Sequence, residues 1–358
     1  LESVPPLKPP SAHETMGKSV PRRDAVEKVT GAARFSGDIR LPGMLYAKIL
    51  RPPAHGAKLV KAETEPAKRI AGVQVVQESD FVAVLHEHPD VAEQARAQIN
   101  AQFDRHSTGV DDKTIFDHLL KSTPSPEIAS EGGNLKTGER LASTVIEETY
   151  FNSYVAHAPM EPHTAAAEFD GKKLTVWAST QTPFRVKEQI AEQLSLPPDR
   201  VRVITPYVGG GFGGKSASRQ ALEAARLAKR VGRPVQVAWS RAEEFFYDTF
   251  RPAAIVKIKS GLNSSGQITF WDYNVYYAGM RGSKQFYEVP HHKEIVHGRW
   301  RGRAGKNHPF GIGPWRAPAN NTNTHARDLH LNLMATKAGV DPLQFRLKHL
   351  RDKRMINV

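Results

Sequence analysis

Between residues 200 and 239 the pattern of apolar and polar positions changes character three times. Residues 200–208 are rich in Val and Ile and predict a strand. Residues 218–231 predict a helix, and residues 234–239 a second strand. The same reading gives strands at 46–50, 73–77, 81–85, 144–154 and 174–178. It gives helices at 65–70, 91–103, 185–194, 324–338 and 341–350. In the last of these, Asp341 is the cap and Pro342 lies in the first turn. Residues 255–262 and 268–277 flank Asn263-Ser-Ser-Gly266 as a hairpin. Leu329, Leu333 and Met334 are expected on the packed face of their helix. Short apolar pieces within 17–45 suggest strands, residues 104–141 read as a polar linker, and 279–310 as a long interface loop.

What interrupts this pattern most sharply is Tyr207 to Ser216, where five of ten residues are glycine. Such a run contributes no side-chain packing and persists where backbone must turn tightly or approach something closely. A strand, a glycine loop and a helix start form an anion site, because free amides and the helix dipole point at the ligand. Three readings fit. Gly209 to Ser216 matches the phosphate-loop spacing of nucleotide triphosphatases, with Lys215 on the outer phosphates and Ser216 on Mg²⁺. The loop can instead lie against a bulky anionic cofactor with Phe212 as a wedge, or be a tight connection with no ligand. The two successive strand–loop–helix units bring Gln181 and Phe212 to neighbouring loops at the strand ends.

Upstream, His157-Ala-Pro-Met-Glu161-Pro-His163 offers three potential metal ligands. Pro159 and Pro162 prevent the helix that would align them, so a polar cluster at a site entrance or a buried hydrogen-bonded knot is expected instead.

Composition narrows the classes. At 358 residues and 39% hydrophobic the chain is long enough for two or three domains with sizeable cores. No apolar run is long enough to span a membrane. The net charge of +13 is dispersed apart from a knot at Arg299, Arg301, Arg303 and Lys306, and no nucleic-acid module accompanies it. An acidic partner or a phosphorylated cofactor accounts for such a surface. Cysteine is absent, which removes disulfides, thiolate zinc sites and cysteine-held iron–sulfur clusters from this chain. The compartment stays open between cytoplasm and periplasm, with a lean to the periplasm.

Taken together, several segments resemble the molybdopterin-binding large subunit of the molybdenum hydroxylases, the xanthine dehydrogenase and aldehyde oxidase family. They run from Asp24 to Asp38 and from Leu41 to Ala47, through Thr180-Gln181 and Gly209-Gly-Gly-Phe-Gly-Gly214, to Trp315-Arg316-Ala-Pro and Asp341-Pro-Leu-Gln-Phe-Arg346. The proline-rich start and Pro159-Met-Glu161-Pro look most like the isoquinoline 1-oxidoreductase type. Order and spacing together make the match specific, and it covers nearly the whole chain. The resemblance implies an α+β fold, with an extended arm at 1–16, an a/b hammerhead-like domain at 17–133 and the first molybdopterin-binding domain at 134–358.

It also implies that Gln181, Gly211, Phe212, Gly213, Gly214 and Arg316 surround the cofactor, with Gln181 and Arg316 taking part in catalysis. The metal, Mo or W, is held by the molybdopterin, in a dinucleotide form, and not by side chains. Implied partners are a second chain carrying the catalytic glutamate, a subunit with 2Fe–2S clusters, and a flavin or cytochrome subunit. The implied reaction is hydroxylation of a small molecule with water as the oxygen source. Ser216 stands where purine-oxidising relatives place a glutamate, which points to an aldehyde or another N-heterocycle. None of Glu161, Glu243 and Glu244 matches the family's base, so this chain alone is expected to be inactive, and the Arg-rich 298–306 segment suits an interface. The phosphate-loop reading would need Asp272 as its second Mg²⁺ partner. A non-catalytic basic interaction subunit is the remaining alternative.

Overall fold

A computed structural model describes residues 6, 8–105, 109–301 and 307–358. Arg303, Lys306 and much of the proline-rich start lie outside the described residues. The strands are β1 (Leu45–Ile49), β2 (Lys58–Glu63), β3 (Gln74–Glu78), β4 (Phe81–His86), β5 (Asn100–Asp104), β6 (Pro126–Gly132), β7 (Thr144–Asn152), β8 (Thr164–Phe169), β9 (Leu174–Ala178), β10 (Val201–Ile204), β11 (Val235–Ala238), β12 (Ala254–Leu262), β13 (Ile268–Tyr276) and β14 (His291–His297). The helices are α1 (Ala25–Val29), α2 (Glu65–Lys68), α3 (Pro89–Ala97), α4 (Ile115–Lys121), α5 (Leu135–Arg140), α6 (Pro183–Gln193), α7 (Arg219–Val231), α8 (Arg241–Tyr247), α9 (Asn320–Lys337), α10 (Pro342–Lys348) and α11 (Lys353–Ile356).

Two mixed sheets organise these elements. One runs β10-β9-β8-β11-β1-β4-β3 and the other β6-β14-β13-β12-β7, while β2 and β5 pair by themselves. In the first sheet β9 and β10 are parallel, joined through α6. Helix α7 then lies over the sheet. Its buried Ala221, Ala224, Ala225 and Ala228 share a core with Ala165 and Ala167 of β8, so small side chains on both sides let helix and sheet approach closely. Gly232, in the left-handed region at φ 66°, ends α7.

The second sheet holds the expected β12–β13 hairpin, antiparallel in register from Ile255↔Tyr276 to Ser260↔Trp271. Helix α9 packs Ala326, Leu331, Met334 and Ala335 into its core with Trp271, Tyr273 and Val275. Asp341 caps α10 by accepting from the amides of Leu343 and Gln344.

Several sequence expectations are corrected here. Residues 91–103 are not one helix: α3 ends at Ala97 and β5 follows, where Ala101 and Phe103 alternate with exposed positions against β2. The segment read as a linker, 104–141, contains α4, β6 and α5, and β6 is an edge strand of the second sheet. Residues 17–44 form no strand; α1 and a short 3-10 turn lie there. The strand expected at 200–208 stops at Ile204. The 279–310 loop contains β14, parallel to β13. On α9 Leu329 and Leu333 are exposed, at 41% and 39%, while Met334 is buried. Sheet pairing also crosses the division drawn near Asn134, because β1, β3 and β4 share a sheet with β8–β11.

Candidate functional site

The parallel strands β9 and β10 end side by side, and the segments leaving them, 179–182 and 205–216, meet at this carboxyl edge. Backbone hydrogen bonds stitch them together. The amide of Gln181 donates to the Lys215 carbonyl at 2.8 Å, and the Thr180 hydroxyl donates to the same oxygen at 3.2 Å. The side chain of Gln181 then turns back, and its Oε1 accepts from the amide of Gly213 at 2.9 Å. That fixes which end of the side-chain amide faces outward. Among the described residues its nitrogen has no hydrogen-bond partner, so two N–H donors are presented at the loop surface.

The glycines are required here by contact. A Cβ on Gly211 would lie 2.6 Å from Gln181 Oε1, and one on Gly213 would run into the Pro314 carbonyl. Gly213 also sits at φ 117°, which side-chain-bearing residues rarely adopt. Strain extends to non-glycine neighbours. Ala158, Phe212, Ala317 and Ala319 all have positive φ, at 47°, 53°, 53° and 65°. Such conformations cost of order 1–3 kcal/mol each and persist where surrounding contacts enforce them.

Those contacts come largely from 311–319. The amide of Arg316 donates to the Phe212 carbonyl at 3.0 Å, and the Arg316 guanidinium lies 4.5 Å over the Phe212 ring. Arg316 is exposed and has no carboxylate partner among the described residues, so no ion pair holds it. Its planar donors are available to a ligand. Gln181, Phe212 and Arg316 are exposed around one surface, and Gly211, Gly213 and Gly214 lie buried beneath it.

Beneath the loop lies a layer of buried ion pairs that the sequence did not reveal. Glu161 Oε2 accepts from Lys215 Nζ at 2.7 Å and from the amide of Gly209 at 2.8 Å, clasping both ends of the glycine run. Burial pushes the Lys215 pKa down, against the opposing pull of Glu161. His163 sits against Glu244 at 3.0 Å, and its backbone amide donates to the same carboxylate at 2.8 Å. His157 sits between Asp248 at 2.7 Å and the Pro314 carbonyl at 2.6 Å. The motif His157–Glu161–His163 therefore disperses to three different partners and forms no joint ligand set, as the buried-knot reading expects. His163, Glu244 and Asp248 do converge within 4.8 Å, but their ligand atoms are mostly committed to hydrogen bonds with one another and with backbone amides.

This geometry overturns the phosphate-loop reading. Lys215 is fully buried in its pair with Glu161 and cannot reach an outer phosphate. Helix α7 begins at Arg219, so the loop does not run directly into the helix. Asp272, the second Mg²⁺ partner required, lies on β13 in the other sheet. Signals for the missed pairs existed only singly: Asp248 gave no motif, and it stands 91 residues from His157.

The donor set fits a large, electron-rich group: the unpartnered Gln181 amide donors and a guanidinium over an aromatic ring, carried on a glycine loop packed too tightly against its own neighbours to admit a Cβ. Comparison with known proteins gives the same direction. The chain is 26% identical to one of the subunits of nicotinate dehydrogenase from Pseudomonas putida, covering 99% of this chain and 32% of that protein. It is 29% identical to the aldehyde oxidoreductase molybdenum-binding subunit PaoC of Escherichia coli, covering 93% of this chain and 50% of that one. The crystal structure of quinoline 2-oxidoreductase from Pseudomonas putida 86 superposes with a TM-score of 0.80 over 94% of this chain and 50% of that chain, at 20% identity, and so shares the fold. This chain thus spans a third to a half of the length of these relatives, 32% and 50%. Residues 120–350, which hold the glutamine, glycine and arginine loops, match the molybdopterin cofactor-binding domain family. The chain belongs to that family, as part of a molybdenum hydroxylase large subunit.

Proposed function

We propose that this chain frames one side of the molybdopterin pocket in an enzyme that oxidatively hydroxylates an aldehyde or an N-heterocycle, with water as the oxygen source. The observation that carries the reading is the orientation of Gln181. Its carbonyl is held by the Gly213 N–H, which leaves its own N–H donors without a protein partner among the described residues. When bound, the pterin-chelated Mo or W supplies the two-electron oxidation. Gln181 would then donate to an electron-rich part of the group, the Phe212–Gly213 backbone would line its site, and Arg316 would hold the pterin or the outer end of the substrate. Ser216 offers no carboxylate to a purine ring nitrogen, which favours an aldehyde or another heterocycle over xanthine.

Four finer points belong to the same reading. Residues 17–133 supply the a/b hammerhead-like part and 134–358 the first molybdopterin-binding part, with both large sheets drawing strands from each. The pterin is a dinucleotide. The general base comes from a second chain or segment, because Glu161 and Glu244 are committed to Lys215 and His163, and Glu243 caps α8 and pairs with Arg51. With no cysteine here, electrons leave through 2Fe–2S clusters of a partner, and onward to a flavin or cytochrome subunit. Elemental analysis of the natively purified assembly tests the proposal. Stoichiometric Mo or W supports it, and absence of both, together with tight binding of Mg-ATP, overturns it.

A further inference from the structure

The glycine loop and the 311–319 segment are far apart in sequence, yet their backbones interlock to within a contact that excludes even one methyl group. Something must set that register. The side chain of His157 is fully buried directly between the two, and both of its ring nitrogens face acceptors. Nδ1 lies 2.7 Å from Asp248 Oδ2 and Nε2 lies 2.6 Å from the Pro314 carbonyl. A neutral imidazole has one N–H, so it can satisfy one of these acceptors and not both. The other oxygen of Asp248 accepts from the Thr249 amide at 2.7 Å, so the carboxylate is committed as an acceptor.

The surroundings are shaped to this pair. A Cβ on Gly214 would lie 2.8 Å from His157 Nδ1 and still closer to Asp248, so the glycine loop closes over the ring only because residue 214 has no side chain. Pro314, the residue His157 grips, is the one whose carbonyl blocks a side chain at Gly213. Two residues on, Arg316 donates to the Phe212 carbonyl. One ring therefore bonds α8's end to the arginine loop, with Gly214 of the glycine loop packed against it.

We infer that His157 is a positioning residue that locks the glycine loop to the arginine loop by donating from both ring nitrogens, to Asp248 and to the Pro314 carbonyl. The inference rests on the functional reading above for its consequence, which is to keep Gln181, Phe212 and Arg316 around one cofactor. The lock itself is a property of the protein. The charged and titratable groups around the ring are Asp248 at the end of α8, Glu244 on α8, and His163, whose Nε2 is 3.9 Å from Asp248. Lys215, on the glycine loop, interacts electrostatically with both carboxylates. Burial alone would lower the imidazole pKa, but Asp248, the Pro314 carbonyl and Glu244 outweigh it and leave it above its ordinary value. The doubly donating form is then complete below the ordinary imidazole pKa and is lost as pH rises through the raised one.

Hydrogen exchange followed by mass spectrometry on the native assembly tests this, with rates corrected for the intrinsic pH dependence of exchange. In the wild type, peptides covering 209–216 and 311–319 are expected to lose protection together as pH rises through the raised imidazole pKa, while β12 and β13 stay protected. His157→Phe removes both donors; exchange in those two peptides is expected to speed up about tenfold or more, independent of pH. His157→Gln keeps one donor and is expected to fall between. If His157→Phe exposes β12 and β13 as well, the decision passes to His157→Gln, whose intermediate and pH-independent protection of the two loops supports the lock. Unchanged protection of both loops in either folded variant, or a pH dependence that survives removal of the imidazole, overturns it. Metal content, measured on the same samples, separates this outcome from failure of the cofactor reading: a lock can be present in an assembly that contains no Mo or W.

Discussion

Two buried histidines, one under the glycine loop and one on α9, show what distinguishes the loop region from the rest of the fold. His157, under the glycine loop, is held by a carboxylate and a carbonyl, and its pKa is raised. His330, on α9 against the second sheet, is held by two hydroxyls, Tyr150 at 2.9 Å and Ser260 at 2.8 Å, and burial pushes its pKa down to about 4. The first is a charged pair tying loops together; the second is a neutral group filling a core. The same contrast runs through the neighbours. Around the loop lie Lys215–Glu161 and His163–Glu244, whereas the second core is dominated by Trp271, Tyr273, Val275 and the alanines of α9. Buried ion pairs add little net stability compared with apolar packing, but they fix geometry, and breaking one leaves a charge without its partner. A region that must hold a cofactor to a fraction of an ångström is where such pairs have a use.

The comparison breaks most easily at Lys215. Lys215→Ala leaves Glu161 partly buried without its cation and releases the Lys215 end of the glycine run, so unfolding free energy in a denaturant titration is expected to fall by about 3–5 kcal/mol. A loss under about 1 kcal/mol, as for a surface pair, would mean that the pair is not part of the frame.

Next comes Gln181→Ala, which touches no buried pair. It removes a donor aimed at developing charge, and the barrier is expected to rise by about 2.7–4 kcal/mol with metal content and thermal stability retained. Unchanged turnover at full metal loading would take Gln181 out of the site.

His330→Ala probes the other region. It strands the hydroxyls of Tyr150 and Ser260 in the second core, at about 1–3 kcal/mol of stability, and turnover per folded, metal-loaded molecule is expected to stay the same. A selective loss of turnover would show that the two regions are coupled.

The smallest effect is spread over several pH units. His330 has a depressed pKa, so the unfolded chain binds its proton first as pH falls; its contribution is present above about 6.5 and is lost on the way down to about 4. His157 has the opposite sign, with a contribution complete below about 6.5 and lost as pH rises through its raised value. His157→Gln should flatten the alkaline side of a melting-temperature profile and leave the acid side intact.

The sequence exposed the site's surface better than its foundations. Gly211 and Gly213 are legible because a backbone that tolerates no Cβ leaves a composition that nothing else explains; Gln181 follows from its place on a loop beside that of Phe212, and Arg316 only from the family resemblance. The ion pairs below were not legible. Asp248 is an ordinary acidic residue at the end of α8, and only the folded chain places it against His157 and beneath Gly214. The fold shows the same division. The β12–β13 hairpin and α7 stand out through clear alternation, a glycine turn and an alanine-rich face. Strand β5 was hidden by the Ala- and Gln-rich composition it shares with α3. On α9, Leu329 and Leu333 suggested a packed face, but the helix instead buries Asn323, Arg327 and His330, each held by hydrogen bonds that no apolar pattern reveals.

Elemental analysis of the native assembly, with Mg-ATP titration on the same material, tests the central claim most directly. If the glycine, glutamine and arginine loops frame a molybdopterin pocket, Mo or W is stoichiometric with this chain and Mg-ATP does not bind. Neither metal present, with tight Mg-ATP binding, would contradict the account.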